Sequence, residues 1–298
     1  MSSTDPHPVT GQAFASPVPP GTGWPDDPAA PGTPVARTPA QVRRLARAAD
    51  GIPELQACAG VGRACPGLVA GGGSVAGGGR GASFAHEPYW GRPGPSFGDP
   101  DAPILIVGLA PAANGTNRTG RMFTGDSSGD FLYAALHRTG FANQPSSIGA
   151  GDGLALTGLR IVATVRCAPP ANAPTAEEKA NCLPWLRRDL ELSPQVHTIM
   201  TLGGIGWDGV LAAARAMDRV VPQPKPKFAH GAEVLLVRPD GVEVRLVGCY
   251  HVSPHNTFTK RLTPDMLDAV LRSLHPAAKV SPSTDRPATD PRGRPGRS

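Results

Sequence analysis

The sequence predicts an α/β fold, a mostly parallel sheet with helices on both faces. Three observations lead there. From residue 103 onward, short apolar runs alternate with longer amphipathic ones, the pattern of repeated strand–helix units. The apolar runs are rich in Val, Ile and Leu, as befits strands buried on both faces. A long, polar, Gly-rich loop follows the first of them, where a parallel strand ends and α/β folds place their ligands.

The elements follow in order. Residues 103–109 read as a strand and 128–139 as a helix. Residues 159–166 read as a strand, and 175–190 as a helix opened by Thr175-x-x-Glu178, the spacing of a capping box. Residues 196–202 are the next strand and 205–217 the next helix. Residues 233–237 and 242–249 pair as a hairpin around Pro239-Asp240-Gly241. Residues 263–274 form the last helix, with a polar cap and an acidic first turn. Upstream, residues 38–55 read as a helix with Leu45, Ala48 and Ile52 on one stripe, interrupted towards Pro53. There is no internal repeat.

The ends have a different composition. Ten of the 35 prolines lie in residues 1–40, where bulky apolar side chains are sparse. Such a segment cannot bury enough surface to offset the entropy of ordering it, so residues 1–40 are expected to be disordered. The same holds for the basic tail, 277–298, which leaves 41–276 as one folded domain. Residues 60–82, dominated by glycine, read as a flexible insertion. They lack the Gly-Lys-Ser/Thr ending of a phosphate loop. Net charge is +5, and the tail accounts for +3 of it. The basic balance is therefore weak support for nucleic-acid binding by the folded domain. No run is long and apolar enough for a spanning helix, and no signal peptide is recognisable. A cytoplasmic protein without membrane contact is expected. Its five cysteines then point to metal ligands or thiols in preference to disulfides.

Three groups of residues carry chemistry. Cys58 and Cys65 flank one loop; Cys167 ends a strand and Cys182 lies in the helix after it. Four thiolates from two segments suit an iron–sulfur cluster or structural zinc, and scattered buried cysteines would leave the same spacing. Cys249, inside an apolar strand, reads as core. His251 opens the run His251-Val252-Ser253-Pro254-His255-Asn256 just after a strand. That suits an acid, base or hydrogen-bond donor, or a histidine satisfied by backbone. Phe123 sits inside the polar loop at 108–126 with Arg118 and Arg121. Its partner is either a planar base or a neighbouring helix.

Together these residues resemble the family 5 (B-type) uracil-DNA glycosylases. The resemblance runs from Tyr89-Trp90-Gly91-Arg92-Pro93 through the loop at 108–126. It continues in Val165-Arg166-Cys167-Ala168-Pro169-Pro170 and ends in His251–Asn256 with Arg261-Leu262-Thr263. It covers about residues 41–275. It implies a three-layer α/β/α sandwich with a short, mostly parallel central sheet, and a structural [4Fe-4S] cluster on Cys58, Cys65, Cys167 and Cys182. The implied partner is DNA containing uracil or other deaminated bases such as hypoxanthine. The implied activity is monofunctional hydrolysis of the N-glycosidic bond by a monomer, leaving an abasic site.

The resemblance also assigns roles. His251 becomes the donor to the uracil O2 anion, and Phe123 the residue stacked on the flipped base. Gly108, Ala110, Pro111 and Ala112 become the backbone wall. Superfamily relatives often place Asp or Asn where Ala110 stands, so the attacking water needs another holder. Asn117 is the first candidate and Asp126 the second, with a helix N-cap as the other role for Asp126. A-type relatives read the uracil amide edge with an Asn where this chain has Ala163, which implies a pocket open to deaminated purines. Pro254 and His255 sit where superfamily members wedge the duplex. His255 and Asn256 become DNA contacts or the wedge, Ser253 a DNA contact, and Lys260 and Arg261 phosphate contacts. Arg118 and Arg121 are phosphate contacts or, for Arg121, an internal brace. Lys260 would be the amine for a lyase step, which the family lacks. The alternatives are a non-catalytic iron–sulfur module that binds damaged DNA on the same fold, and a nucleotide hydrolase or transferase using the loop as a phosphate cradle.

Overall fold

The computed structural model describes Thr4–Pro6 and Ala13–Ala15, Gly94, and residues 96–99, 101–112, 114–149, 151–166, 168–169 and 172–275. The expected helix at 38–55, the Gly-rich insertion at 60–82, the 89–93 motif and the 277–298 tail lie outside the described residues. So do Cys58, Cys65 and Cys167. Within residues 1–40, Thr4–Pro6 (β1) and Ala13–Ala15 (β2) pair antiparallel; the rest of that segment also lies outside.

The main sheet has six strands: Phe97–Gly98 (β3), Ile104–Gly108 (β4), Leu159–Ala163 (β5), Thr198–Leu202 (β6), Glu233–Val237 (β7) and Glu243–Cys249 (β8). Their spatial order is β3-β5-β4-β6-β8-β7. The four central strands run parallel, with Ile106 beside Ile161 on one side and Met200 on the other. The two edge strands are antiparallel. The hairpin expected around residues 239–241 is β7–β8.

Side-chain alternation divides the core in two. Ile104 and Ile106 face one layer, with Leu132, Tyr133 and Leu136 of Ser127–Arg138 and Leu267 and Leu271 of Pro264–Leu274. Leu105 and Val107 face the other, with Leu186 and Leu190 of Ala176–Leu192 and Trp207 and Leu211 of Gly204–Ala216. Numbering helices in chain order, with Thr116–Thr119 as α1 and Pro254–Phe258 between the last two long ones as α5, the first layer is α2 and α6. The second is α3 and α4. This is the expected three-layer sandwich. Every central strand is apolar at consecutive positions because both of its faces are covered.

Caps fix where the helices begin. Thr175 accepts from the Glu178 N–H at 3.1 Å, and the Glu178 carboxylate accepts from the Thr175 N–H at 2.7 Å. Thr263 caps α6, with Pro264 in the first turn. Arg138 on α2 donates to both carboxylate oxygens of Asp268 on α6, at 2.9 and 2.8 Å, clasping that layer. A second pair is wholly internal. Arg166, just beyond β5, meets Asp189 of α3 at 2.7 Å, and Ser96 donates to the other Asp189 oxygen at 3.0 Å. Removing one member strands a buried charge. Asp189→Ala should therefore destabilise the fold by roughly 3–5 kcal/mol, read as a lower urea midpoint; an unchanged midpoint would show the pair to be dispensable.

Candidate active site

The parallel strands β5, β4, β6 and β8 all end at one edge of the sheet, in Ala163, Gly108, Leu202 and Cys249. The loops leaving β4, β5 and β8 meet there around a cavity of about 440 Å³, in the size range of small-molecule sites. Gly108, Leu109, Ala110, Ala112 and Ala163 supply an apolar wall with little side chain. Phe123, Asp126, Asn172, His251 and Ser253 supply the functional groups.

The β4 loop is held by its own buried bonds. Arg121 is turned inward: its guanidinium grips both oxygens of Asp152 at 2.8 Å, donates to Ser147 at 3.0 Å and to Thr124 at 2.9 Å, and lies 5.0 Å from the Phe97 ring. Burial alone would raise the Asp152 carboxyl. The Arg121 bonds and the Leu154, Ile148 and Gly149 N–H groups outweigh it and hold Asp152 well below the carboxylate range. Arg118 donates to the Asn114 and Gly125 carbonyls at 2.8 and 3.1 Å, closing the loop on itself. These bonds carry Phe123 at φ 52, a conformation that costs strain in a non-glycine residue. Two glycines make room for it: a Cβ on Gly129 would lie 1.8 Å from the Phe123 oxygen, and one on Gly108 would lie 2.9 Å from its ring.

Asp126 is both a cap and a cavity residue. Its Oδ1 accepts from the Gly129 N–H at 2.9 Å, starting α2. Its Oδ2 lies where a Cβ on Gly115 would be 1.9 Å away, so only glycine leaves that oxygen in place. Burial raises the Asp126 pKa above its ordinary 3.8, against the lowering effect of the Gly129 and Ser128 N–H bonds. A buried carboxylate with an oxygen beside a cavity can orient a water and accept its proton. Across the cavity, the Phe123 and His251 rings lie 6.4 Å apart, tilted by 42°. Burial lowers the His251 pKa below 6.5, so the imidazole is neutral at pH 7 and offers one N–H donor. The Asn256 amide holds the His251 carbonyl at 2.8 Å.

The cavity thus brings together an aromatic face, an imidazole and a carboxylate. The sequence model of the uracil DNA glycosylase superfamily matches residues 95–275. The chain belongs to that superfamily. It is 53% identical over 275 residues to the type-5 uracil-DNA glycosylase of Mycobacterium bovis, covering 92% of this chain and 99% of the relative. It is 46% identical over 220 residues to the type-5 enzyme of Thermus thermophilus, covering 74% and 93%. The type-5 enzyme of Pyrobaculum aerophilum is 44% identical over 184 residues, covering 62% and 76%.

Within this member of the superfamily, the expected site residues separate by position. Gly108, Ala110, Ala112, Phe123, Asp126, Ala163, His251 and Ser253 come together on the cavity. Asn117, 4% exposed in α1, and Pro111, also buried, are both outside the lining. Arg121 is the internal brace and not a surface cation. Arg118, half-buried, donates to the Asn114 and Gly125 carbonyls of its own loop. Asn256 turns its amide onto His251. His255, Lys260 and Arg261 are exposed, with Arg261 over the Tyr250 ring at 4.8 Å. Cys249 is core, its thiol pushed up to about 12 by burial. Asn172 was passed over in the sequence. Its signal was a lone amide in the loop leaving β5, and it lines the cavity at φ 56.

Of the four candidate cluster ligands, Cys182 is described: a thiol 2% exposed on α3. Trp185, on the same face of α3, lies 5.8 Å from the Arg166 guanidinium. That contact brings the chain just before Cys167 against the face that carries Cys182. Among the described residues no three His, Cys, Asp or Glu side chains converge as a metal site.

Proposed function

We propose that the protein is a monofunctional DNA glycosylase that hydrolyses the N-glycosidic bond of uracil in DNA. The observation that carries this reading is the convergence of Phe123, His251 and Asp126 on one cavity. The superfamily match and the type-5 relatives support it. A base inside the duplex is out of reach, so it is rotated into the cavity and lies against Phe123. As the C1′–N1 bond breaks, the sugar gains positive charge and uracil leaves as an anion centred on O2. The neutral His251 N–H stabilises that oxygen. Asp126 holds the water whose oxygen becomes the C1′ hydroxyl and takes up its proton, which passes to solvent. Asn172 adds an amide able to donate and accept.

The wall of Ala110, Ala112 and Ala163 carries no bulky side chain to exclude a larger base, so the same reading extends to hypoxanthine. On this reading the enzyme acts as a monomer in the cytoplasm. Among the described residues no helix is long and apolar enough to cross a membrane. A [4Fe-4S] cluster on Cys58, Cys65, Cys167 and Cys182 belongs to this reading, supported by the burial of Cys182 and the contact beside Cys167. Its contribution would be structural, since the hydrolysis transfers no electrons. Cys167→Ser should lose visible absorbance and soluble yield; a brown, folded variant would overturn the ligand set.

A labelled duplex with one uracil opposite guanine tests the activity. A strand break that appears only after alkali is expected. A break without alkali would make Lys260 a lyase amine. DNA binding without base release would favour the binding module.

A further inference from the structure

Cys182 and Trp185 stand apart from both layers of the core. They are 2% and 3% exposed, yet neither is among the side chains that pack on the two faces of the sheet. With Asp189 they fall at i, i+3 and i+7 of α3, the spacing of one helix stripe. Arg166 lies across that stripe. It meets Asp189 at 2.7 Å and sits 5.8 Å from the Trp185 ring. The chain then runs directly into Cys167. Trp185 is thus flanked by one candidate cluster ligand on its own helix and by the residue that precedes another.

The indole of Trp185 has an unmet hydrogen bond. Its Nε1 is buried and finds no partner among the described residues. Trp207 on α4 shows the ordinary outcome: it is equally buried, and its N–H goes to the Pro226 carbonyl at 3.0 Å. A buried tryptophan N–H normally finds an acceptor, because losing water without a new partner costs free energy. Here protein groups do not supply one.

We propose that the Trp185 N–H donates to a sulfur of the [4Fe-4S] cluster and sets how readily the cluster takes up an electron. The proposal rests on the cluster reading above. Cluster sulfurs carry negative charge and accept N–H bonds, and such bonds help to set the reduction potential. Reduction adds to that charge, so the bond holds the reduced form more strongly and raises the potential. Trp185 touches no substrate in this role. Its effect is on the cluster, and it is absent from the hydrolysis.

The test compares the parent with Trp185→Phe, which keeps an aromatic ring in the space and removes the N–H. Iron content is measured first, then the one-electron potential by film voltammetry. With iron retained, reduction should become less favourable by roughly 3- to 10-fold, about 30–60 mV lower in potential. Uracil release should stay at the parent's rate. A ring that only fills space, or an N–H that bonds to water, would leave the potential unchanged and overturn the proposal. A second measurement covers a variant that loses its iron. In the parent grown with tryptophan carrying heavy nitrogen in the indole ring, pulsed EPR of the one-electron-reduced cluster should show coupling to that nitrogen. No coupling overturns the proposal, and so does coupling that persists in an iron-loaded Trp185→Phe. A parent that holds no iron and lacks visible absorbance would instead defeat the cluster reading, and the hydrogen bond with it.

Discussion

Asp126→Asn is expected to fold at least as well as the parent and to lose uracil release by about 10²–10⁴-fold. The two halves of that result come from the two carboxylate oxygens. An amide oxygen can accept from the Gly129 N–H as Oδ1 does now, and Asn is as good an N-cap as Asp, so α2 still begins at Ser127. What the amide cannot do is take a proton from water. The pKa direction gives the sign of the stability change. Burial raises the Asp126 carboxyl, so the folded state holds its proton more tightly than the unfolded chain does. The ionised form at neutral pH is then a cost to the fold, which the neutral amide removes. A melting temperature at or above the parent's, together with lost turnover, is the expected pair of readings. In the parent, turnover should fall on the acid side at a pH above the ordinary Asp value of 3.8. A variant that keeps the parent's rate would leave Asp126 as a cap alone.

The second large effect belongs to His251. Replacing it with Ala should lower kcat by roughly 10²–10³-fold, about 3–4 kcal/mol, the usual cost of one preorganised donor to a developing anion. Affinity for uracil-containing DNA should change little, because the donor matters most once charge has moved to O2. Burial lowers the imidazole pKa from its ordinary 6.5, so any loss of rate from protonating the donor should come on the acid side of that value. A rate that halves as pH rises through that value would make the imidazolium the working form. Unchanged kcat in His251→Ala would remove the residue from the chemistry.

The sheet and its four long helices were legible because each depends on local pattern: apolar runs for strands, Thr175 and Glu178 for a start, Thr263 and Pro264 for another. Both functional loops were legible for the same reason, since each follows a strand whose end is easy to locate. The short elements were not. Phe97–Gly98 is two residues long and is a strand because β5 lies beside it; α1 and α5 are too short to show a period. Long-range pairing hid the rest. Arg121 reads equally as a phosphate contact or an internal brace until Asp152, far along the chain, is folded onto it. Asn256 reads as a DNA contact until the chain turns back and brings its amide to His251. Asn172 gains its place only when the β5 loop is laid beside the β4 loop.

One wall of the cavity has a consequence for how the protein can change over generations. Ala110, Ala112 and Ala163 sit at strand ends or in the loop that Arg118 and Arg121 brace. The backbone beneath them is already fixed, so a longer side chain there would project towards the base without refolding the loop. A single nucleotide change turns an alanine codon into one for aspartate, serine or threonine. Under the proposed function, the breadth of lesions accepted is thus a trait that lies one mutational step from narrower ones, and lineages under different kinds of DNA damage can adjust it without changing His251 or Asp126.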